Sequence, residues 1–160
     1  MKRIALLSIV GSLAASTLLA QSPRGEAKLT LAGKTVAVDY GRPSLRGRDM
    51  LSRIQVGQPW RMGADAPTTL KTEADLRFGP ASVPRGDYIL EATKVTEEAW
   101  QLEVLSADGE RRQVAQIPLT AEKLDEKVEA FTIELKGRTG GGEFLMTWDT
   151  TALKAGFTAK

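Results

Sequence analysis

Alternation of apolar and polar residues is the feature that most constrains what this chain can fold into. In a series of short runs between residues 28 and 158 apolar side chains recur at every second position, and segments rich in Gly, Pro, Asp and Ser separate many of these runs. A period of two places alternate side chains on opposite faces of an extended strand. The pattern predicts an all-β fold: an antiparallel β-sandwich (jelly-roll or immunoglobulin-like) of about nine or ten short strands with at most one or two short helices.

The first predicted unit is a hairpin over residues 28–40, because the alternation continues on both sides of Ala32-Gly33. Further strands are predicted over residues 68–72, 74–78, 88–93, 100–104, 111–119, 131–135, 144–148 and 151–158. Residues 41–48 form a loop rich in Gly, Pro and Arg. The glycine-rich segment 137–142 lacks the ending of a phosphate loop and a following helix, so it is predicted to be a flexible hairpin turn.

Two segments have helical character. Residues 48–54 are predicted to form a turn or two of helix that ends before Gly57 and Pro59. Residues 120–127 have a helical composition, with an acidic loop as the alternative. No internal repeat, low-complexity stretch or linker divides the chain, so residues 21–160 are expected to form a single domain.

The N-terminus has the pattern of a signal peptide over residues 1–20. Met1-Lys2-Arg3 is basic, residues 4–19 are apolar or small, and Ala20 is a suitable residue before a cleavage site. The apolar run is shorter and more weakly hydrophobic than a spanning helix, although an uncleaved anchor remains the alternative. The sequence therefore predicts an exported protein, periplasmic or extracellular, with no membrane attachment after cleavage.

The chain contains neither Cys nor His. It therefore has no disulfide, thiolate zinc site or cysteine nucleophile, and no Ser-His-Asp triad or imidazole ligand. A spaced Asp-x-Asp-x-Asp-Gly calcium loop is also absent. No metal site and no cofactor are predicted, and the lack of a recognisable catalytic motif favours a protein that is not an enzyme.

Charge is unevenly distributed along the chain. Both charges of the formal +2 lie in the predicted signal peptide, so residues 21–160 are neutral and nucleic acid is not an expected partner. Residues 24–61 nevertheless hold eight basic and three acidic residues, and residues 62–160 hold 12 basic and 17 acidic residues. Either the basic stretch pairs with the acidic remainder inside the fold, or its arginines form a pocket for an anionic or polyhydroxylated ligand.

Two polar loops supply the candidate binding residues. An arginine fork suits a carboxylate, a phosphate or sugar hydroxyls, and an aromatic side chain can stack on a ring. The predicted ligand-binding residues are Tyr40, Arg42, Arg46, Arg48, Trp60, Arg61, Asp65 and Thr68. The competing interpretation is structural: Arg42 pairs with Asp39 or Asp49, Arg61 caps carbonyls or pairs with Asp65, and Trp60 fills the core. Trp100 and Trp148 are predicted to be core residues.

These two loops resemble a known family. The phrases DYGRPSLRGRD (39 to 49) and QPWRMGADAPTTL (58 to 70), together with SPRGEA (22 to 27), VPRGDYIL (83 to 90) and VEAFTIEL (128 to 135), are similar to those of domain-of-unknown-function family 2911. The resemblance covers residues 22 to about 155 and implies an exported bacterial protein without an established activity. The chain departs from the family at Asp65-Ala66-Pro67, where Asn and Glu are usual, and this weakens a catalytic role for Asp65.

Three functions remain open. The first is a non-enzymatic binding module whose arginine-rich loop face takes a small anionic or carbohydrate-like ligand or an envelope partner. The second is an envelope-associated hydrolase or lyase with Asp39, Asp49 or Asp65 as acid and base and the arginines as stabilisers. The third is a purely structural envelope protein, in which Arg42 and Arg61 are expected to be buried and fully paired.

Overall fold

A computed structural model describes residues 20–160, and nearly all of the predicted signal peptide, residues 1–19, lies outside the described part. The described chain forms ten strands and one 3-10 turn, Leu51–Arg53. The strands are β1 (Arg24–Leu31), β2 (Lys34–Gly41), β3 (Pro59–Trp60), β4 (Thr68–Thr72), β5 (Leu76–Phe78), β6 (Ala81–Val83), β7 (Gly86–Lys94), β8 (Trp100–Ser106), β9 (Gln113–Arg138) and β10 (Gly141–Ala159). The predicted all-β class is confirmed.

The ten strands form one antiparallel sheet with the order β1-β2-β4-β7-β8-β9-β10-β5-β6, in which β3 pairs with β7. The first part of β9 pairs with β8 and its later part pairs with β10. β9 therefore passes from one layer of the sandwich to the other. β9 and β10 are longer than the short strands that were predicted. β10 joins two segments, residues 144–148 and 151–158, that the alternation predicted as separate strands.

The predicted β1–β2 hairpin is confirmed, and its turn explains why the sequence carries Ala32-Gly33 at that point. Both turn residues have positive φ, 48° for Ala32 and 79° for Gly33. Two consecutive residues in this region match the right-handed twist of the strands that they join. The pairing then runs without a break from Leu31↔Lys34 to Arg24↔Gly41.

The segment 120–127 is a strand, and neither the helix nor the acidic loop predicted for it is correct. Residues 120–123 of β9 pair with residues 151–154 of β10. The register then shifts twice, between Thr147 and Asp149 and between Asp149 and Thr151, so that β9 bulges away from its partner. Backbone pairing with β10 outweighs the helical propensity of these exposed side chains.

The two layers meet in a core that contains five aromatic side chains, which we call the aromatic cluster. Its members come from β2, β3, β8, β9 and β10: Tyr40, Trp60, Trp100, Phe131 and Trp148. Trp100 and Trp148 are 7% and 2% exposed, which confirms them as core residues. Among residues 20–160 no helix is long and apolar enough to cross a membrane.

β3 and β4 lie along the same side of β7 and are separated by one excursion of the chain. Trp60 pairs with Ala92 and Thr68 pairs with Leu90, so residues 61–67 leave the sheet between these two pairs. Three residues of this excursion have positive φ: Met62 (52°), Gly63 (139°) and Asp65 (63°). The excursion brings the second predicted polar loop beside the end of β2.

Candidate functional site

An open groove of about 440 Å³ borders the predicted loops. Two tryptophans, Trp60 and Trp148, line it together with two arginines, Arg48 and Arg53. Met50, Ile54 and Pro59 add apolar surface, and no carboxylate belongs to the lining. We call this cavity the tryptophan groove.

The aromatic cluster holds the tryptophans of the groove in place. The rings of Trp60 and Trp148 are stacked, with centroids 6.0 Å apart and planes 8° apart, and Phe131 packs edge-on against both. The indole Nε1 of Trp148 donates a hydrogen bond to the carbonyl of Glu129 (3.2 Å). Trp60 is half-buried, so part of its ring faces the groove while the rest packs in the core.

The two arginines of the groove keep their charge without a carboxylate partner. The guanidinium of Arg48 donates to the carbonyls of Leu45 (3.1 Å) and Ser44 (3.4 Å), which fixes its orientation. Arg53 lies exposed at the end of the 3-10 turn. No ion pair of either arginine occurs within residues 20–160, so both cations are available to an anion.

A second, smaller cavity adjoins the groove. It has a volume of about 130 Å³ and is lined by Arg42, Arg46 and Arg48 together with Pro43, Ser44 and the segment 20–23, of which Ala20 belongs to the predicted signal peptide. We call it the arginine pocket. It shares Ser22, Pro43 and Arg48 with the tryptophan groove, and no carboxylate belongs to its lining either. The two cavities are therefore neighbouring parts of one basic surface.

Arg42 is fixed by both hydrogen bonds and packing. Its Nε donates to the carbonyl of Phe131 (3.3 Å) and its Nη2 donates to Oγ1 of Thr132 (3.2 Å). A Cβ atom at Gly25 of β1 would lie 2.6 Å from Cδ of Arg42, so the glycine makes room for the arginine stem. Arg42 pairs with neither Asp39 nor Asp49, because Asp39 instead forms an ion pair with Arg24.

The loop that carries Arg46 is attached to β9 through its backbone. The amides of Leu45 and Arg46 donate to the carbonyl (3.0 Å) and the side-chain Oε1 (2.8 Å) of Glu129. The amide of Phe131 donates to the carbonyl of Pro43 (2.9 Å). The side chain of Arg46 itself is exposed and makes no hydrogen bond within residues 20–160. The backbone of the loop is held while this arginine stays free.

The two predicted loops meet backbone to backbone. A Cβ atom at Gly41 would lie 2.1 Å from the carbonyl oxygen of Ala64, and one at Gly63 would lie 2.9 Å from the carbonyl oxygen of Gly41. Only glycine allows this approach, and Gly63 also has a φ of 139° that other residues rarely adopt. The glycines of the two motifs therefore serve the contact between the loops.

Tyr40 and Thr68, two of the predicted ligand-binding residues, are core residues that hold these loops. The hydroxyl of Tyr40 donates to the carbonyl of Ile133 (3.1 Å), and that of Thr68 donates to the carbonyl of Met62 (2.5 Å). Tyr40 is 3% exposed and Thr68 is fully buried. Neither side chain lines the groove or the arginine pocket.

Arg61 and Asp65 lie at a different place from the other predicted residues. They line a separate depression of about 230 Å³ together with Glu91 and Arg111. Nη1 of Arg61 donates to the carbonyl of Asp65 (2.9 Å), as the structural interpretation predicted, and Asp65 accepts the amide of Ser22 (2.8 Å). Arg61 therefore lines neither the tryptophan groove nor the arginine pocket.

The charge asymmetry is not neutralised by pairing across the fold. Within residues 20–160, the two ion pairs of the basic stretch are internal to it: Arg24 with Asp39, and Lys28 with Glu26. All the other ion pairs join residues of the acidic remainder to one another. Arg42, Arg48 and Arg61 instead donate to backbone carbonyls and a hydroxyl, so the basic stretch keeps a net positive charge.

Of the two arginines and two tryptophans that line the groove, Arg53 and Trp148 were not among the predicted ligand-binding residues. Arg53 belongs to the basic stretch and to the turn or two of helix predicted over residues 48–54, of which the structure has the 3-10 turn Leu51–Arg53, but the prediction did not indicate which cavity this turn borders. Trp148 was predicted only as a core residue. Its side chain is buried in the core, and it also lines the groove. Alternation predicts which face a strand buries, and it does not predict where that face ends at a cavity.

The acidic residues near the basic surface are poorly placed for acid-base chemistry. Hydrogen bonds from Ser52 to its carboxylate lower the pKa of Asp49, which is fully exposed. Asp39 is tied to Arg24 and Asp65 to the amide of Ser22. No group of three acidic residues in the described part of the chain is close enough to hold a metal ion.

The fold and its cavities define an all-β sandwich protein with an arginine-bordered groove beside an aromatic core. Residues 22–157 match the family described as "Protein of unknown function (DUF2911)", and the chain belongs to this family. The resemblance seen in the loop motifs is thereby confirmed. No curated protein and no solved structure matches the chain.

Proposed function

We propose that this protein is a binding module whose tryptophan groove takes a small ligand that carries an anionic group. The observation that carries the proposal is the pairing of two arginines without carboxylate partners, Arg48 and Arg53, with two tryptophans in one open cavity. Guanidinium groups bind carboxylates and phosphates, and tryptophan offers apolar surface for the rest of the ligand.

The size of the groove supports a small-molecule ligand. Its volume of about 440 Å³ lies within the range of about 300–1,000 Å³ that is usual for such sites. The aromatic cluster beneath it and the hydrogen bonds of Arg48 fix its shape before a ligand arrives. A preformed site loses less conformational entropy on binding than a flexible loop does.

A hydrolase or lyase is less well supported. Acid-base catalysis needs a carboxyl group within reach of the substrate, and the groove has no carboxylate among its lining residues. The lowered pKa of Asp49 disfavours its protonated form, which a general acid requires. A purely structural role is also less well supported, because Arg61 is exposed and two cavities border Arg48.

Tryptophan fluorescence is the direct test, since Trp60 and Trp148 both border the groove. The purified protein is titrated with phosphate, acetate, citrate, glucose 1-phosphate, phenyl phosphate and glucuronate. We expect at least one anion to change the emission with saturation, and Arg53→Ala to weaken its binding by about tenfold or more.

Arg85→Ala is the matched control, because Arg85 is also an exposed arginine that lines neither cavity. It removes the same charge from the protein and should bind the anion as the unsubstituted protein does. Equal binding by Arg53→Ala, or no saturable response to any anion, would overturn the proposal and direct the search to a protein partner.

We propose further that the protein acts outside the cytoplasm after removal of residues 1–20. The basic start, the apolar run and Ala20 support this. N-terminal sequencing of the protein recovered from the periplasm and from the medium should give Gln21 as the first residue. A protein that keeps Met1 and sediments with the membrane fraction would instead indicate an uncleaved anchor.

A further inference from the structure

The arginine pocket and the tryptophan groove point to a more specific ligand than an anion alone. We propose that they form one elongated site for a phosphate ester that carries a ring, with the phosphate in the arginine pocket and the ring in the groove. This inference rests on the proposed function, because it names the ligand class for the same surface.

The charge of the arginine pocket favours a phosphate over a carboxylate. Three guanidinium groups, those of Arg42, Arg46 and Arg48, border a cavity of about 130 Å³. Together they offer more N–H donors than the two oxygens of a carboxylate can accept, whereas a phosphate monoester presents three terminal oxygens and up to two negative charges. None of the three arginines has an ion pair within residues 20–160.

The pocket is held ready by the rest of the fold. Two hydrogen bonds to β9 orient Arg42, and two carbonyls of its own loop orient Arg48, so each guanidinium keeps its Nη1 donors for a ligand. The backbone of Arg46 has a φ of 50° and is followed by Gly47 with a φ of 74°. The Arg46 amide donates a hydrogen bond to the side chain of Glu129, which fixes this turn. The turn keeps the guanidinium of Arg46 beside those of Arg42 and Arg48.

The continuity of the two cavities indicates what the rest of the ligand is. Arg48 and Pro43 border both cavities, so a group bound in the arginine pocket has the groove next to it. The groove is mostly apolar where Trp60, Trp148 and Ile54 line it. A sugar or aromatic ring packs on such a surface, while an unsubstituted inorganic phosphate leaves it empty.

Calorimetric titration with four probes separates the two parts of the site: phenyl phosphate, glucose 1-phosphate, inorganic phosphate and benzoate. We expect a ring-bearing phosphate to bind about tenfold or more tightly than inorganic phosphate and than benzoate. The comparison of phenyl phosphate with glucose 1-phosphate shows whether the ring is aromatic or a sugar. Equal affinities for the phosphate ester and benzoate would overturn the assignment of a phosphate to the arginine pocket.

Two variants distinguish failure of this inference from failure of the proposed function. Arg46 borders only the arginine pocket and Arg53 borders only the groove. We expect Arg46→Ala to weaken binding of phosphate and its esters by about tenfold while benzoate binding is retained, with Arg85→Ala unchanged as the control. Loss of binding in Arg53→Ala but not in Arg46→Ala would overturn the phosphate site and leave the groove. Unchanged binding in both variants would overturn both proposals.

Discussion

The arginines of the basic stretch and those of the later strands are used in different ways. Arg111, Arg112 and Arg138 each form an ion pair with a carboxylate, namely that of Glu91, Asp108 or Glu143. Arg42 and Arg48 bind carbonyls and a hydroxyl, which orient a guanidinium without neutralising it. Arg111, Arg112 and Arg138 are therefore neutralised by carboxylates of the later strands, whereas Arg42 and Arg48 keep a positive charge, which the proposed function assigns to a ligand.

The two sets also differ in what fixes the nearby carboxylates. The pKa of Asp108 is lowered to about 2, first by a hydrogen bond from Ser106 and then by one from Arg112. The pKa of Asp49 is lowered mainly by hydrogen bonds from Ser52, and the arginine beside it contributes least. Asp49 therefore forms no ion pair with an arginine within residues 20–160, in contrast to Asp39, which pairs with Arg24.

The largest effect is expected where the two polar loops meet. Gly41→Ala would put a Cβ atom 2.1 Å from the carbonyl oxygen of Ala64, and backbone on both sides prevents an easy adjustment. We expect a loss of about 3 kcal/mol or more in the free energy of unfolding, measured by urea denaturation. Because the loops carry the site, ligand binding should fall with it.

Gly137→Ala is the control for this substitution. A Cβ atom there would meet only Cδ1 of Leu29 at 3.6 Å, an ordinary contact, so we expect a change within about 0.5 kcal/mol. If Gly41→Ala were as stable as Gly137→Ala, the loops would not be locked together, and the division of arginines into oriented and paired sets would have no structural basis.

The sequence predicted the strands more completely than the site. Alternation and turn residues were enough for the hairpin at Ala32-Gly33 and for the strands that form one face of the core, because each signal is local. The cavity depends on where β9 bulges and on how β10 brings Trp148 beside Trp60, and both are long-range effects of pairing. The motifs marked loops that border the two cavities, but they could not show that Arg61 lines a different cavity from Arg48.

The next prediction compares the stability lost on removing Arg42, whose guanidinium is held by hydrogen bonds, with that lost on removing Arg46, whose side chain makes none within residues 20–160. Arg42→Ala removes two hydrogen bonds to β9 from a half-buried side chain, which we expect to cost about 2 kcal/mol of unfolding free energy. Arg46→Ala removes an exposed side chain without partners in the described chain, and the expected cost is below about 0.5 kcal/mol. Urea denaturation of both variants measures the difference, and equal losses would mean that Arg42 does not fasten the loop.

A smaller effect concerns pH and the paired arginines. The pKa of Asp108 in the folded protein, about 2, lies below its ordinary value of 3.8, so its charged form is stabilised by folding. This stabilisation is present above about pH 4 and is lost as the pH falls towards 2. We expect Asp108→Asn to be less stable than the unsubstituted protein at pH 7, and the two to become equal near pH 2, in urea melts at several pH values. A constant difference would mean that the hydrogen bonds from Ser106 and Arg112 do not stabilise the charged form of Asp108.

No effect on ligand binding is expected for Arg61, which shares a sequence motif with Trp60 of the groove but lines a different cavity. It is exposed, makes one hydrogen bond to the carbonyl of Asp65, and lines a depression that also contains Glu91. Arg61→Ala should therefore lower the free energy of unfolding by less than about 1 kcal/mol, because an exposed hydrogen bond of this kind competes with water. Its affinity for the anion bound in the groove should equal that of the unsubstituted protein, in contrast to Arg53→Ala. If Arg61→Ala stayed folded and lost binding, the ligand would have to extend over the excursion of residues 61–67, and the site would be the whole loop face rather than the groove and the arginine pocket.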